Sequence, residues 1–155
     1  MTVNAFKKVL AFLPTAVRLL IGFLLITNGW VWLHRPDPGQ YLTEALIGNM
    51  PFSVPLYRPF LEVIVLPNVG VFAALVSWGE FLSGISLFFG AAGRLGAAVI
   101  AFQFLNYGLM GGWYISVLAH GVLMLLVAAT VYWESGRAFG VDRWLHRRWP
   151  RALIW

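Results

Sequence analysis

Two residues can do proton chemistry where proton chemistry is unexpected: Glu80 and His120 each lie within about twenty otherwise apolar positions. Carboxamides at Asn28, Gln103 and Asn106 and hydroxyls at Thr27, Ser77, Ser83, Ser86 and Ser116 occur in the same kind of stretch. A charged or strongly polar side chain is costly in hydrocarbon, so each of these needs a partner or a task. One task is structural: a hydrogen-bonded layer in which Asn106, Gln103 or His120 satisfies Glu80 and fixes helix register. Another is chemical: a carboxyl group beside an imidazole that exchanges protons with a ligand such as a quinone. A third makes Glu80 and His120 part of a proton or solute path. A metal site fits poorly, because one histidine and one carboxylate at this depth are too few ligands and no His-x-x-His or Glu-x-x-His spacing occurs. With no cysteine there is no disulfide, thiolate ligand or iron–sulfur cluster, and no haem ligation is evident.

The elements that must position these groups follow from hydropathy. Of 155 residues 60% are apolar and 11% charged, with a mean hydropathy of +0.77, and the apolar residues come in runs long enough to span a bilayer. The expected fold is all-α, a single-domain transmembrane four-helix bundle with helices at about residues 15–33, 69–89, 95–110 and 113–133. Pro14 suits an early helical position. The apolar run after Lys7 and Lys8 continues through Trp32 without a small-residue cleavage pattern, so an uncleaved first helix is expected. Residues 34–67 hold six of the eight prolines and form a long extracytoplasmic loop, with short surface helices at about 41–47 and 60–66. Gly90 to Arg94 is a tight turn forcing an antiparallel pair, and residues 134–155 form a basic tail.

Lys7, Lys8, Arg18, Arg94, Arg137, Arg143, Arg147, Arg148 and Arg151 fall on one side, Arg35 and Arg58 on the other, which places both termini in the cytoplasm of a prokaryotic plasma membrane. The basic residues flank apolar segments and alternate in the tail with Trp144, Trp149 and Trp155, a pattern for lipid headgroups and against nucleic acid as the partner. Arg18 and Arg94 at the cytoplasmic boundary can snorkel or hold an anionic substrate. Counting from the helix ends brings Glu80, Gln103 with Asn106, His120, and Thr27 with Asn28 to one level, so all four helices contribute a polar group there. Ser77, Glu80 and Gly84 share a helical face, as do Gln103, Asn106 and Met110.

The run from Phe60 to Asn68, then Gly79-Glu80-Phe81-Leu82-Ser83-Gly84, Phe89 to Leu95, Asn106-Tyr107, and the closing Ser135-Gly136-Arg137 with Gly140-Val141-Asp142-Arg143-Trp144-Leu145 resemble the DoxX/DoxD family of four-helix membrane proteins. The long proline-containing loop is closer to DoxD. That resemblance implies a membrane subunit of a thiosulfate:quinone oxidoreductase, with quinone as redox partner and a second subunit handling the sulfur substrate. It carries over Glu80, Arg94, Asn106, Arg137 and Asp142, the last two as fold-defining positions. His120 belongs to no family motif. A non-catalytic scaffold, an assembly factor or a small transporter is the alternative.

Overall fold

A computed structural model describes residues 3–111, 115–138, 140–152 and 154, with side chains from residue 12 onward except at 115, 137 and 138. The described residues are helical, without a strand. The long helices are α1 (Val3–Leu33), α4 (Val69–Phe89), α5 (Gly93–Gly111) and α6 (Ile115–Tyr132). Shorter ones are α2 (Pro38–Asn49), α3 (Arg58–Phe60), α7 (Ser135–Ala138) and α8 (Asp142–Arg148). α1 packs on α4, α4 on α5 and α5 on α6, and the ring closes most loosely between α6 and α1.

Glycine sets the tightest of these contacts. A Cβ at Gly22 would meet the Phe88 backbone, one at Gly29 the Phe81 backbone, and one at Gly84 the backbone of Ile26. Helices without side chains at their crossing points approach closely enough for dispersion between backbones to hold them in an apolar solvent.

Two apolar clusters fill the interior. Ile21, Leu25, Leu87, Ala97, Ile100, Phe104 and Val127 form one, in the half nearer the α4–α5 turn. Leu42, Leu46, Leu61, Val65 and Ala73 form the other, where α2 packs on the opposite end of α4. Outside, the large apolar residues are bare: Val71, Leu75, Trp78 and Leu82 follow helical spacing down α4 and are each more than half exposed. Phe12–Leu33 and Arg58–Phe89 are long and apolar enough to cross a membrane.

Several boundaries differ from the sequence expectation. α1 starts at Val3, so Pro14 lies inside it. Its missing N–H removes one ladder bond near the end of the apolar stretch. The helix expected at 69 is already under way at Arg58, as α3 passes through a π turn at Leu61–Val65 and a 3-10 turn at Leu66–Asn68 into α4. The wide turn buries Leu61 and Val65 and tolerates Pro67, which a regular helix interior resists. The loop's other helix, α2, is longer than expected because Asp37 caps it, accepting from the Gln40 amide at 2.8 Å, with Pro38 in the first turn. The start of the last long helix at 113 lies outside the described residues.

The tail is part of the fold. After α6 the chain turns through Glu134, which has positive φ, and α7 and α8 return beneath the α4–α5 turn. There Val141 N–H donates to Phe89 O at 3.1 Å, Asp142 N–H to Gly90 O, and Leu95 N–H to Ile154 O.

Candidate functional site

Glu80 lies at the middle of α4 and is 2% exposed, yet it is not sealed in. It forms the floor of a cleft of about 600 Å³ walled by α1, α5 and α6, with Ile21, Leu24, Leu25, Thr27, Asn28 and Val31 on one side and Phe104, Tyr107, His120 and Leu123 on the other. Leu24 and Val31 are more than half exposed, so the cleft opens sideways through the loose seam between α1 and α6.

Both carboxylate oxygens are engaged. Asn28 Nδ2 donates to Oε2 at 2.6 Å and the Tyr107 hydroxyl donates to Oε1 at 2.6 Å. These donors come from two other helices, so Glu80 ties α1, α4 and α5 together at one level. The contacts are short, as hydrogen bonds to a carboxylate are.

His120 completes the wall. Its Nδ1 lies 2.7 Å from Ser116 O, and because a carbonyl only accepts, Nδ1 carries the proton. Ser116 Oγ is 3.2 Å from the same nitrogen and donates to Tyr107 O at 3.2 Å. Nε2 has no hydrogen-bond partner among the described residues, and it is the basic nitrogen of a ring that lines the cleft. The ring meets Tyr107 edge-on at 5.8 Å and Phe104 at 6.1 Å. On its other side lies an apolar pocket of about 220 Å³ bordered by Gly108 and Gly121, so the imidazole stands between two voids.

Of the residues placed at this level by counting, Asn28, Glu80 and His120 meet in the cleft, whereas Gln103 and Asn106 turn away. Gln103 Nε2 donates to Val76 O at 3.1 Å and Leu75 O at 3.3 Å, over Gly79, whose missing side chain leaves room for the amide. Asn106 accepts from the Tyr57 hydroxyl and donates to Phe102 O at 2.7 Å, so it joins α5 to the loop. Burial pushes the Tyr57 hydroxyl up to about 12, which keeps it a neutral donor at ordinary pH. The residue that counting overlooked is Tyr107, next to Asn106. One step along a helix is a rotation of about 100°, enough to exchange the loop-facing side of α5 for the cleft-facing side. A tyrosine hydroxyl in mid-span was the available signal.

The basic positions lie elsewhere. Arg94 sits at the start of α5 and pairs with Glu134 at 3.6 Å, both side chains being more than a third exposed. Arg18, expected to snorkel, is instead 2% exposed, its guanidinium packed over Gly90 and Gly140 within the influence of the Asp142 charge. Asp142 is equally buried and accepts from the Ala92 and Gly93 amides at 2.7 and 2.9 Å, capping α5. Cβ atoms at Gly93 or Gly136 would collide with its carboxylate. The spacing Gly136 … Gly140-x-Asp142 therefore builds a knot that locks the tail under the bundle. The Arg137 side chain lies outside the described residues. No group of three potential metal ligands occurs among the described residues.

A protein-family model described as "TQO small subunit DoxD" matches residues 12–153. No curated protein matches the chain, and no solved structure does.

Proposed function

The chain belongs to the DoxD family, and from that premise we propose that it is the membrane subunit of a thiosulfate:quinone oxidoreductase, binding the quinone headgroup in the cleft over Glu80. Membrane association accords with the family and with the two helices long enough to cross. The further reading is that α1, α4, α5 and α6 all cross the bilayer of a prokaryotic plasma membrane, with the termini on the cytoplasmic side. The apolar outer faces and the distribution of basic residues support it.

The observation that carries the quinone reading is the cleft itself: a void of about 600 Å³, open through a lipid-facing seam, with one unsatisfied imidazole nitrogen and a hydrogen-bonded carboxylate inside. Reduction of a bound quinone takes two electrons, supplied by thiosulfate oxidation at a partner subunit, and two protons, yielding quinol. His120 Nε2 accepts a hydrogen bond from a quinol hydroxyl as it stands and, once protonated, donates one to a quinone carbonyl. Ser116 holds the ring in that tautomer. Glu80 keeps Asn28 and Tyr107 in place and supplies a second group able to hold a proton. In this reading the chain serves the quinone side of the reaction and its partner the sulfur side.

Binding of a short-chain benzoquinone to the purified chain in lipid nanodiscs tests the reading. His120→Ala is expected to weaken binding about tenfold or more, equivalent to about 1.4 kcal/mol. Glu80→Gln should leave the protein abundant while slowing thiosulfate-dependent quinone reduction in the assembled complex. A chain that binds no quinone, or binds it equally well without His120, has another role. Glu80→Gln that instead abolishes accumulation supports the scaffold reading, which the full hydrogen bonding of Glu80 also favours.

A further inference from the structure

We propose that the groove between α4 and α5, on the outside of the bundle, is a second binding site for quinone, holding the ring at Ser83 and Trp78 and separate from the Glu80 cleft. The proposal rests on the quinone reading for the identity of the ligand, whereas the site is set by the groove itself. That groove encloses about 770 Å³ and shares no lining residue with the cleft. Its floor is made of small residues, Gly79 and Ser83 on α4 and Gly96 on α5, where a Cβ at Gly96 would meet Ser86 Oγ and the Ser83 carbonyl. Its rim is large and exposed, with Trp78 and Leu82 on one side and Leu95 and Val99 on the other.

Exposed apolar residues by themselves say only that lipid covers this face. Two polar groups say more. The other serines of α4 spend their hydroxyls on backbone carbonyls, Ser77 on Ala73 O at 2.7 Å and Ser86 on Ala91 O at 2.7 Å. Ser83 is 3% exposed, borders the groove, and has no hydrogen-bond partner among the described residues. A buried hydroxyl without a partner is destabilising, so its place on the floor points to a group that comes from outside the chain. Trp78 carries the second polar group. Its indole packs edge-on against Phe81 at 6.3 Å, but the N–H has no acceptor among the described residues, and the residue is 52% exposed. Tryptophans of membrane helices belong at the two interfaces, where the N–H meets water or headgroups. Trp78 lies nine residues from Val69 and eleven from Phe89, in the middle of α4. With Ser83 five residues further on, both groups fall within about 6 Å of the helix midpoint at 1.5 Å per residue.

That depth selects the ligand. With α4 crossing a hydrocarbon layer about 30 Å thick, phospholipid headgroups lie about 15 Å away and only their chains reach this level. A neighbouring helix brings backbone groups already spent on its own ladder. What suits the groove is a molecule that dissolves in hydrocarbon and carries acceptors for the Trp78 N–H and the Ser83 hydroxyl. A quinone ring offers two carbonyl oxygens, no charge and an isoprenoid chain that can lie along the apolar rim. The indole N–H only donates, so the groove favours the oxidised form, whereas His120 Nε2 as it stands accepts from the quinol. Neither Ser83 nor Trp78 exchanges a proton near neutral pH, so the groove holds quinone and leaves the chemistry to the cleft.

The test is photolabelling of the assembled complex in lipid nanodiscs by an azido-benzoquinone with a short isoprenoid chain, read by mass spectrometry of the labelled peptides. Label within residues 70–99 is expected, displaced by excess unlabelled quinone and reduced at least fivefold in Ser83→Ala and in Ala74→Phe. Ser83→Ala removes a hydroxyl that no described residue uses, and Ala74 is an exposed residue of the groove, so both variants should melt like the parent. Label within residues 21–31, on the cleft, should persist in both variants and fall in His120→Ala. Cleft label without groove label, or groove label that survives both variants, overturns the proposal and leaves the quinone reading standing. Groove label with an unlabelled cleft upholds the proposal and overturns the placement of quinone over Glu80. Equal groove labelling by a photoactivatable acyl chain that quinone does not displace makes this face ordinary lipid-covered surface and overturns the proposal. So does groove label that appears only when the partner subunit is left out, which assigns the face to a partner helix.

Discussion

Glu80 and Asp142 are both buried carboxylates at 2% exposure, and both accept hydrogen bonds, yet their surroundings differ in kind. Asp142 accepts from two backbone amides at the start of α5, with glycines at 93 and 136 pressed against its oxygens, beside a pocket of about 20 Å³. Glu80 takes its bonds from two side chains and fronts a cleft of about 600 Å³. Burial alone does not separate an acid that holds a fold from one that can serve a ligand. The nature of the donors and the void beside them do: backbone donors cannot move without unwinding a helix, whereas Asn28 and Tyr107 can rotate or exchange partners with an incoming molecule.

The sharpest way to break that contrast is to remove each acid. Asp142→Ala leaves two amides and the buried Arg18 without their anion, and is expected to destabilise the protein by about 3 kcal/mol or more. The readouts are abundance in the membrane fraction and a fall in detergent Tm, and a variant that melts like the parent would erase the distinction. Gly90→Ala comes next, because φ is +61° there and a Cβ would strike the Arg18 guanidinium. A loss of about 1–2 kcal/mol is expected, again read as Tm. Tyr107→Phe should cost about 1 kcal/mol, since Glu80 loses one of the two donors that Asn28 and Tyr107 provide. Its effect on quinone reduction should exceed its effect on Tm, the reverse of the pattern at Gly90.

The same contrast marks what could be read from the chain before its structure. The tight turn at Gly90–Gly93 and the existence of the long helices followed from hydropathy and glycine placement, because those signals are local. Depth was also legible, and it put Asn28, Glu80, Gln103, Asn106 and His120 near one level. Rotation was not, since an error of one residue turns a side chain by about 100°. Hence Gln103 and Asn106 share the depth of the cleft residues but face Gly79 and Tyr57 instead. The knot was hidden for a different reason. Arg18 and Asp142 are 124 positions apart, and only the return of α7 and α8 beneath α4 makes a boundary arginine into a buried one.

Arg94 supplies the smallest expected effect and a control on the Glu80 cleft. It lies at the end of the bundle that holds the knot, but its bond to Glu134 is an exposed pair at 3.6 Å, outside the lining of the Glu80 cleft. Pairs of that kind contribute about 0–1 kcal/mol. Arg94→Gln should therefore shift Tm by no more than a degree or two and leave quinone binding unchanged. If it instead lowered thiosulfate-dependent reduction while binding of the short-chain quinone stayed intact, the arginine would be acting on the partner or its anionic substrate. The division into a structural carboxylate and a ligand-facing one would then need a third region, at the surface, where charge is kept exposed for contact with something outside the chain.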